Sequence, residues 1–266
     1  MPVCIYNNIE GKDATLLKQY HEPSWNNPVV RYVNAAEEDL IPRLDRQWSS
    51  HSLVSRMIQA LESVNRPVPG YLRQLALESR NEKPQTATFA MHCYWVGEAS
   101  LGALDGVLST RAGWLQNKEV VEVRFDPQQI SYRELLTQAL QHDCADTVFA
   151  RTDEQQADAA RHAEGKVVRT DEPATDAKPG DQMHASRLSD WQWVPMTPMQ
   201  RTRLNAALSR GLSVSDLVSP RQQAWHALAV KARSHSPQQL TRLEPMTGVG
   251  GWQARVQALA RLAGDH

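Results

Sequence analysis

The sequence predicts an α+β protein whose central domain packs helices on one antiparallel-rich sheet, a two-layer arrangement. Three observations predict it. Between residues 86 and 142, strand-like and helix-like patterns follow one another in the order β-α-β-β-α with short connections. The polar, proline-containing stretch Asn81-Glu82-Lys83-Pro84-Gln85 sets this region apart from a first unit at residues 1–80. After a central domain at residues 86–197, the pattern at 198–266 becomes a helical extension.

Bulk properties narrow the function. The chain has 266 residues, 29 Lys and Arg against 30 Asp and Glu, and a net charge of −1. The charges are interspersed, which argues against nucleic acid or an anionic membrane surface as a partner. No apolar run approaches the roughly 18 residues of a spanning helix. Met1-Pro2-Val3-Cys4 shows no basic segment followed by an apolar one, so a cytoplasmic location is expected, with a longer N-terminus left open. Cys4, Cys93 and Cys144 are too few and too scattered for a disulfide scaffold, and no Cys-x-x-Cys occurs.

In the first unit, Val3–Tyr6 reads as a strand and Ala14–Tyr20 as a helix ending near Pro23. Asn27-Pro28 opens the β-branched run Val29–Val33, Ala35–Asp39 is turn-like, and Leu40–Leu44 can return as a hairpin partner. Leu53, Val54, Met57, Ile58, Leu61 and Val64 recur at helical spacing behind a Ser49 or Ser50 cap. Tyr71–Leu77 is a further short helix. This order resembles the C-terminal half of a thioredoxin fold, in which a proline placed like Pro28 is usually cis and faces the redox centre. The resemblance makes residues 1–80 a partial thioredoxin-like unit.

In the central domain, Thr86–Met91, Gly106–Thr110 and Val120–Phe125 read as strands and Glu98–Leu104 as a helix. Ser131–His142 is a helix opened by a capping box, Ser131 with Glu134. Lys166–Gly180, rich in Asp, Pro, Thr and Lys, reads as a loop. The last region divides into helices at Met199–Ser209, Pro220–Ser234 and Trp252–Ala263, with a hinge at Gly248–Gly251.

Cys93 carries the chemistry. It falls between a strand and a helix, where unsatisfied N–H groups and the positive end of the helix dipole favour a thiolate. The bland alternative is a small hydrophobe at the end of a core strand. Around it the sequence reads His92-Cys93-Tyr94-Trp95 with Glu98. Leu104-Asp105-Gly106-Val107, Lys118-Glu119-Val120-Val121, Asp126-Pro127 and Ser131-Tyr132-Arg133-Glu134-Leu135-Leu136 follow in order. This run resembles the catalytic module of the A-type peptide methionine sulfoxide reductases, whose signature is Gly-Cys-Phe-Trp, a Glu-Val-Val strand, an Asp-Pro turn and a Ser-Tyr-x-x-Leu-Leu helix. The fold class it implies is the ferredoxin-like, reductase-type two-layer domain.

The resemblance implies roles. Cys93 would attack the sulfoxide sulfur, Glu119 would donate a proton to the sulfoxide oxygen, and Tyr94 with Trp95 would pack against the substrate methyl group. The sulfenic acid left on Cys93 needs a second thiol; Cys144, expected near the rim of the site, is the resolving candidate. No cofactor is implied, and thioredoxin or a similar protein would be the external reductant. The substrate would be methionine sulfoxide or an oxidised protein. Two family segments are cut down: the loop before the Glu strand is reduced to Trp114–Lys118, and a Gly-Asn-Asp-x-Gly-Thr-Gln-Tyr-Arg-Ser segment is absent. A second class stays open, a non-catalytic module that binds a partner or a metal. His92, Cys93, His142 and Cys144 would supply two thiolates and two imidazoles to zinc or copper.

Overall fold

A computed structural model describes residues 5, 12–23, 25–26, 29–80, 83–163, 165–246 and 248–264. The chain divides into two compact units, Met1–Val68 and Pro69–His266. The expected strand at Val3–Tyr6, Cys4 and the expected cis proline Pro28 fall outside the described residues, save Ile5.

The first unit contains α1 (Lys12–Gln19), β1 (Val29–Val30), β2 (Leu44–Asp45) and α2 (Ser50–Ser63). β1 and β2 pair antiparallel with Val29 opposite Asp45. The strand expected over Val29–Val33 is only two residues long. Beyond it Val33 forms an isolated antiparallel bridge with Asp39, across a turn in which the Asn34 side chain accepts from the N–H groups of Ala36 and Glu38 at 2.8 and 3.0 Å. Ser49 caps α2 by accepting from Ser52 N. Arg31 binds Glu22 at 2.7 Å and also Asp39, and Arg43 reaches the same Glu22 at 3.1 Å.

The second unit opens with α3 (Gly70–Glu78), which the linker reading had placed with the first unit. β3 (Gln85–Ala90), α4 (Tyr94–Leu101), β4 (Val107–Leu115), β5 (Lys118–Phe125) and α5 (Tyr132–Gln141) then follow in the predicted order. The capping box of Ser131 and Glu134 forms at the start of α5. β6 (Thr147–Ala150) and α6 (Asp153–His162) come next. The segment expected to be a loop instead adds two short strands, β7 (Val167–Arg169) and β8 (Thr175–Asp176). They become the two edges of a six-stranded sheet of order β7-β6-β3-β5-β4-β8, antiparallel except for β6 with β7. The β-branched pair Val167-Val168 explains β7: Val168 packs against buried Phe149 and Val120.

Alternation along the strands makes two faces. Ala87, Phe89, Val121, Val123 and Phe125 join Tyr94, Leu101, Leu135 and Leu136 in the main core beneath the helices. Ala90, Val120, Leu115 and Phe149 form a smaller cluster on the other face. The helices after residue 197 are α8 (Pro198–Ser209), α9 (Pro220–His235), α10 (Pro237–Leu240) and α11 (Trp252–Leu262), preceded by the four-residue α7 (His184–Arg187). α8 packs on α4 and β4, so this region shares one unit with the sheet.

α4 lies close to the sheet because Gly97 has no side chain. A Cβ there would overlap Met91 and come within 2.9 Å of Val121 Cγ2. Gly97→Ala is therefore expected to destabilise the unit by about 1–3 kcal/mol through overpacking, despite alanine's better helix propensity. Urea unfolding measures this, and an unchanged or raised midpoint would contradict the close approach.

Candidate active site

Cys93 is the N-cap of α4, with extended backbone (φ −146°, ψ 114°), and is partly exposed. One residue holds the chain on both sides of it. Met91 N–H donates to the Glu119 carbonyl at 3.1 Å, carrying the β3–β5 ladder past its last strand pair. Tyr94 N–H donates to Glu119 Oε2 at 2.9 Å. The carboxyl of Glu119 thus meets the first turn of α4 and satisfies one of its orphan N–H groups.

Turn geometry brings Glu119 to this place. Gln116 and Asn117 have φ of 50° and 60°, both left-handed, as a two-residue type I′ hairpin turn requires. Leu115 therefore pairs with Lys118 and Trp114 with Glu119. Period-two alternation then sets Glu119 on the same face as Val121, Val123 and Phe125, under the helices.

Three aromatic rings surround the start of α4. Tyr94 is buried and meets Trp95 and Trp114 edge to face, with centroids 6.1 and 6.0 Å apart. Burial raises the Tyr94 phenol above its usual range, and the negative charges of Asp181, Glu119 and Cys93 raise it further. Trp95 and Trp114 are partly exposed. The Trp95 indole N–H donates to the Asp181 carbonyl at 2.9 Å, and its face stacks on His184 at 3.9 Å and 12°.

Under Trp95 lies Glu98, fully buried, whose Oε2 accepts from Met183 N–H at 2.8 Å. Burial pushes its carboxyl up to about 7, against the opposing pull of the Met183 and Ala112 backbone. Sequence reading quoted Glu98 and Trp114 without assigning either a role, and set His184 aside as a core or surface residue. The Gln116-Asn117 turn was a signal for Trp114, because it fixes the partner of Glu119. His184, 91 positions beyond Cys93 by number, gave none.

Cys144 is placed differently from the expected rim position. It is fully buried in the main core, and its S–H donates to the His142 carbonyl at 3.3 Å. Burial pushes its thiol up to about 11; the Ser100 hydroxyl opposes this, and the charges of Asp143 and Asp146 add to it. His92 and His142 are both exposed. Among the described residues no group of three or more His, Cys, Asp and Glu side chains stands together to hold a metal ion, so the four-donor set is not assembled.

A partly exposed thiol heading a helix, with a carboxyl at the same helix start and indoles beside it, defines a cysteine-centred site on an α+β sheet. Comparison with known proteins makes this more specific. A 77-residue stretch is 38% identical to peptide methionine sulfoxide reductase MsrA 2 of Rhizobium meliloti (strain 1021), covering 23% of this chain and 39% of that protein. A 75-residue stretch is 40% identical to the MsrA of Methanothermobacter thermautotrophicus, covering 22% and 43%. Similarity to MsrA 1 of Nostoc sp. runs over 127 residues at 28% identity, covering 35% of this chain and 77% of that protein. No family model matches the chain. Stretches of the chain are thus similar to A-type peptide methionine sulfoxide reductases, and the chain spans about two fifths of the length of the first two of these relatives.

The two thiols should differ sharply in reactivity. Native-state iodoacetamide labelling at pH 8, followed by peptide mapping, should modify Cys93 at least about 100-fold faster than Cys144. Comparable rates would mean that the 142–146 segment opens readily and that Cys144 is available.

Proposed function

We propose that the chain is a thiol-dependent reductase of methionine sulfoxide, free or within an oxidised protein, with Cys93 as nucleophile and Glu119 as proton donor. The observation that carries this reading is the pair of hydrogen bonds tying Glu119 to Met91 and Tyr94, on either side of Cys93. It is supported by the similarity to the reductases of Rhizobium and Methanothermobacter. The reductase-type two-layer fold belongs to the same proposal.

The Cys93 thiolate attacks the sulfoxide sulfur. The sulfoxide oxygen is a poor leaving group until protonated, and the carboxyl of Glu119 is the group placed to protonate it. Oxygen is transferred to Cys93, leaving a thioether and a Cys93 sulfenic acid: the sulfoxide is reduced by two electrons and the thiol oxidised by two. Trp95 offers the apolar surface for the methyl group, and the buried Tyr94 ring meets both Trp95 and Trp114 edge to face. A second thiol then condenses with the sulfenic acid, releasing water, and thiol–disulfide exchange restores Cys93.

Thioredoxin or a similar dithiol protein is the proposed reductant, and no bound cofactor is needed for these steps. Cys144 can serve as the resolving thiol only if its loop leaves the core; direct attack by the external thiol requires no such opening. Among the described residues, no helix is long and apolar enough to cross a membrane.

The test is NADPH oxidation with thioredoxin, thioredoxin reductase and a methionine sulfoxide peptide. Cys93→Ser should abolish turnover, and Glu119→Gln should lower kcat by about 10²–10⁴-fold, the range for loss of a general acid. Cys144→Ser should retain most activity. Full activity in Cys93→Ser would refute the reading.

A further inference from the structure

The Trp95 ring is held by one short segment, residues 181–184, and that segment is anchored from underneath. Asp181 accepts from the indole N–H at 2.9 Å, and His184 lies over the ring face at 3.9 Å. Between these two contacts, Met183 N–H donates to Glu98 Oε2 at 2.8 Å. Gln182 adds a two-way clamp to Ala112, accepting from its N–H at 3.0 Å and donating to its carbonyl at 2.7 Å. Met183 itself has φ 52° and ψ 53°, a left-handed conformation that a residue with a Cβ rarely adopts. The bond to Glu98 is what fastens this corner.

Glu98 stands one turn beyond Trp95 on α4, so its side chain reaches the segment from the inner face of the helix that presents Trp95 outward. It is fully buried; among the described residues it forms no ion pair with an Arg or Lys, and its other oxygen, Oε1, has no hydrogen-bond partner. Burying a carboxyl against the Met183 N–H and the Ala112 backbone, with no cation beside it among the described residues, is costly, and an apolar side chain would fill the core at lower cost. The bond is explained by what it holds in place.

We propose that Glu98 is a positioning residue of the sulfoxide site: it fixes Met183 so that Asp181 and His184 pin the Trp95 ring as the wall against which the substrate's methyl group packs. The proposal rests on the reductase reading for the identity of the substrate, but the pinning of Trp95 does not. Glu98 touches neither Cys93 nor substrate and moves no proton in the reaction. Its effect is on where Trp95 stands, and hence on substrate binding.

The experiment combines ¹⁹F NMR of 5-fluorotryptophan-labelled protein, with the Trp95 line assigned by Trp95→Phe, and kinetics on a methionine sulfoxide peptide. Glu98→Met fills the core volume but removes the acceptor; Glu98→Gln keeps an acceptor oxygen; His184→Ala removes the stacked ring and leaves α4 intact. Glu98→Met and His184→Ala should each shift the Trp95 line while the remaining tryptophan lines stay in place. Each should raise KM about tenfold with kcat within about threefold of wild type, the pattern of lost binding. Glu98→Gln should restore both readouts. A Trp95 line that stays put in Glu98→Met and His184→Ala would overturn the proposal, as would a fall in kcat at unchanged KM. If Glu98→Met does not fold, the His184→Ala and Glu98→Gln pair decides by the same criteria. A wild-type protein without reductase activity would refute the substrate assignment alone, and the NMR result would still decide whether Glu98 holds Trp95.

Discussion

Glu119 grips the chain twice, once with its backbone carbonyl and once with its carboxyl, and Cys93 lies between the two grips. Everything else about the site depends on that pair of bonds. The first extends the sheet and delivers the chain to the start of α4 at a fixed height. The second brings a carboxyl to the helix N-terminus beside the thiol. Both require the β4–β5 register set by the Gln116–Asn117 turn. A slip of one residue would send Glu119 to the opposite face, because side chains in a strand alternate with period two. The shortened loop, which from sequence looked only like a loss, is thus also the device that fixes Glu119 in place.

The C-terminal helices are tied to the same site through the segment they hold. Asn205 on α8 accepts from Ser186 N–H at 3.1 Å. Arg201, buried and without a carboxylate partner among the described residues, donates to Ser186 Oγ and to the carbonyls of Trp191 and Val194. Burial pushes its guanidinium down to about 10, with the charge of Arg187 acting in the same direction. These bonds satisfy backbone groups that a segment without long secondary structure would leave buried and unpaired. The residues just before Ser186 carry His184 and Met183. α8 therefore supports one end of the segment that covers Trp95, while Glu98 supports the other.

Much of this was legible in the sequence, and the failures have physical reasons. The capping residues Ser49, Ser131 and Glu134 act as read, since a cap is a local interaction between residues three apart. The three C-terminal helices emerge within a residue or two of their expected ends. β7 and β8 were hidden because strands of three and two residues carry almost no periodicity and exist only by pairing with a sheet already formed. The burial of Cys144 was missed because polar neighbours, His142, Asp143 and Asp146, made its segment look like a surface loop. Asp143 turns the chain with φ 54° and points the following thiol inward. His184 lies far from Cys93 in sequence, and only the folded chain brings its ring onto Trp95.

We propose that Cys93, held beside Glu119, takes oxygen from a sulfoxide. The most direct measurement is a single turnover. The fully reduced protein is mixed with a methionine sulfoxide peptide and dimedone, with no other reductant present, and both products are read by mass spectrometry. Up to one thioether should form per protein chain, with the sulfenic acid trapped as a dimedone adduct on Cys93. A peptide that remains a sulfoxide, or an adduct found on Cys144 and not on Cys93, would contradict it.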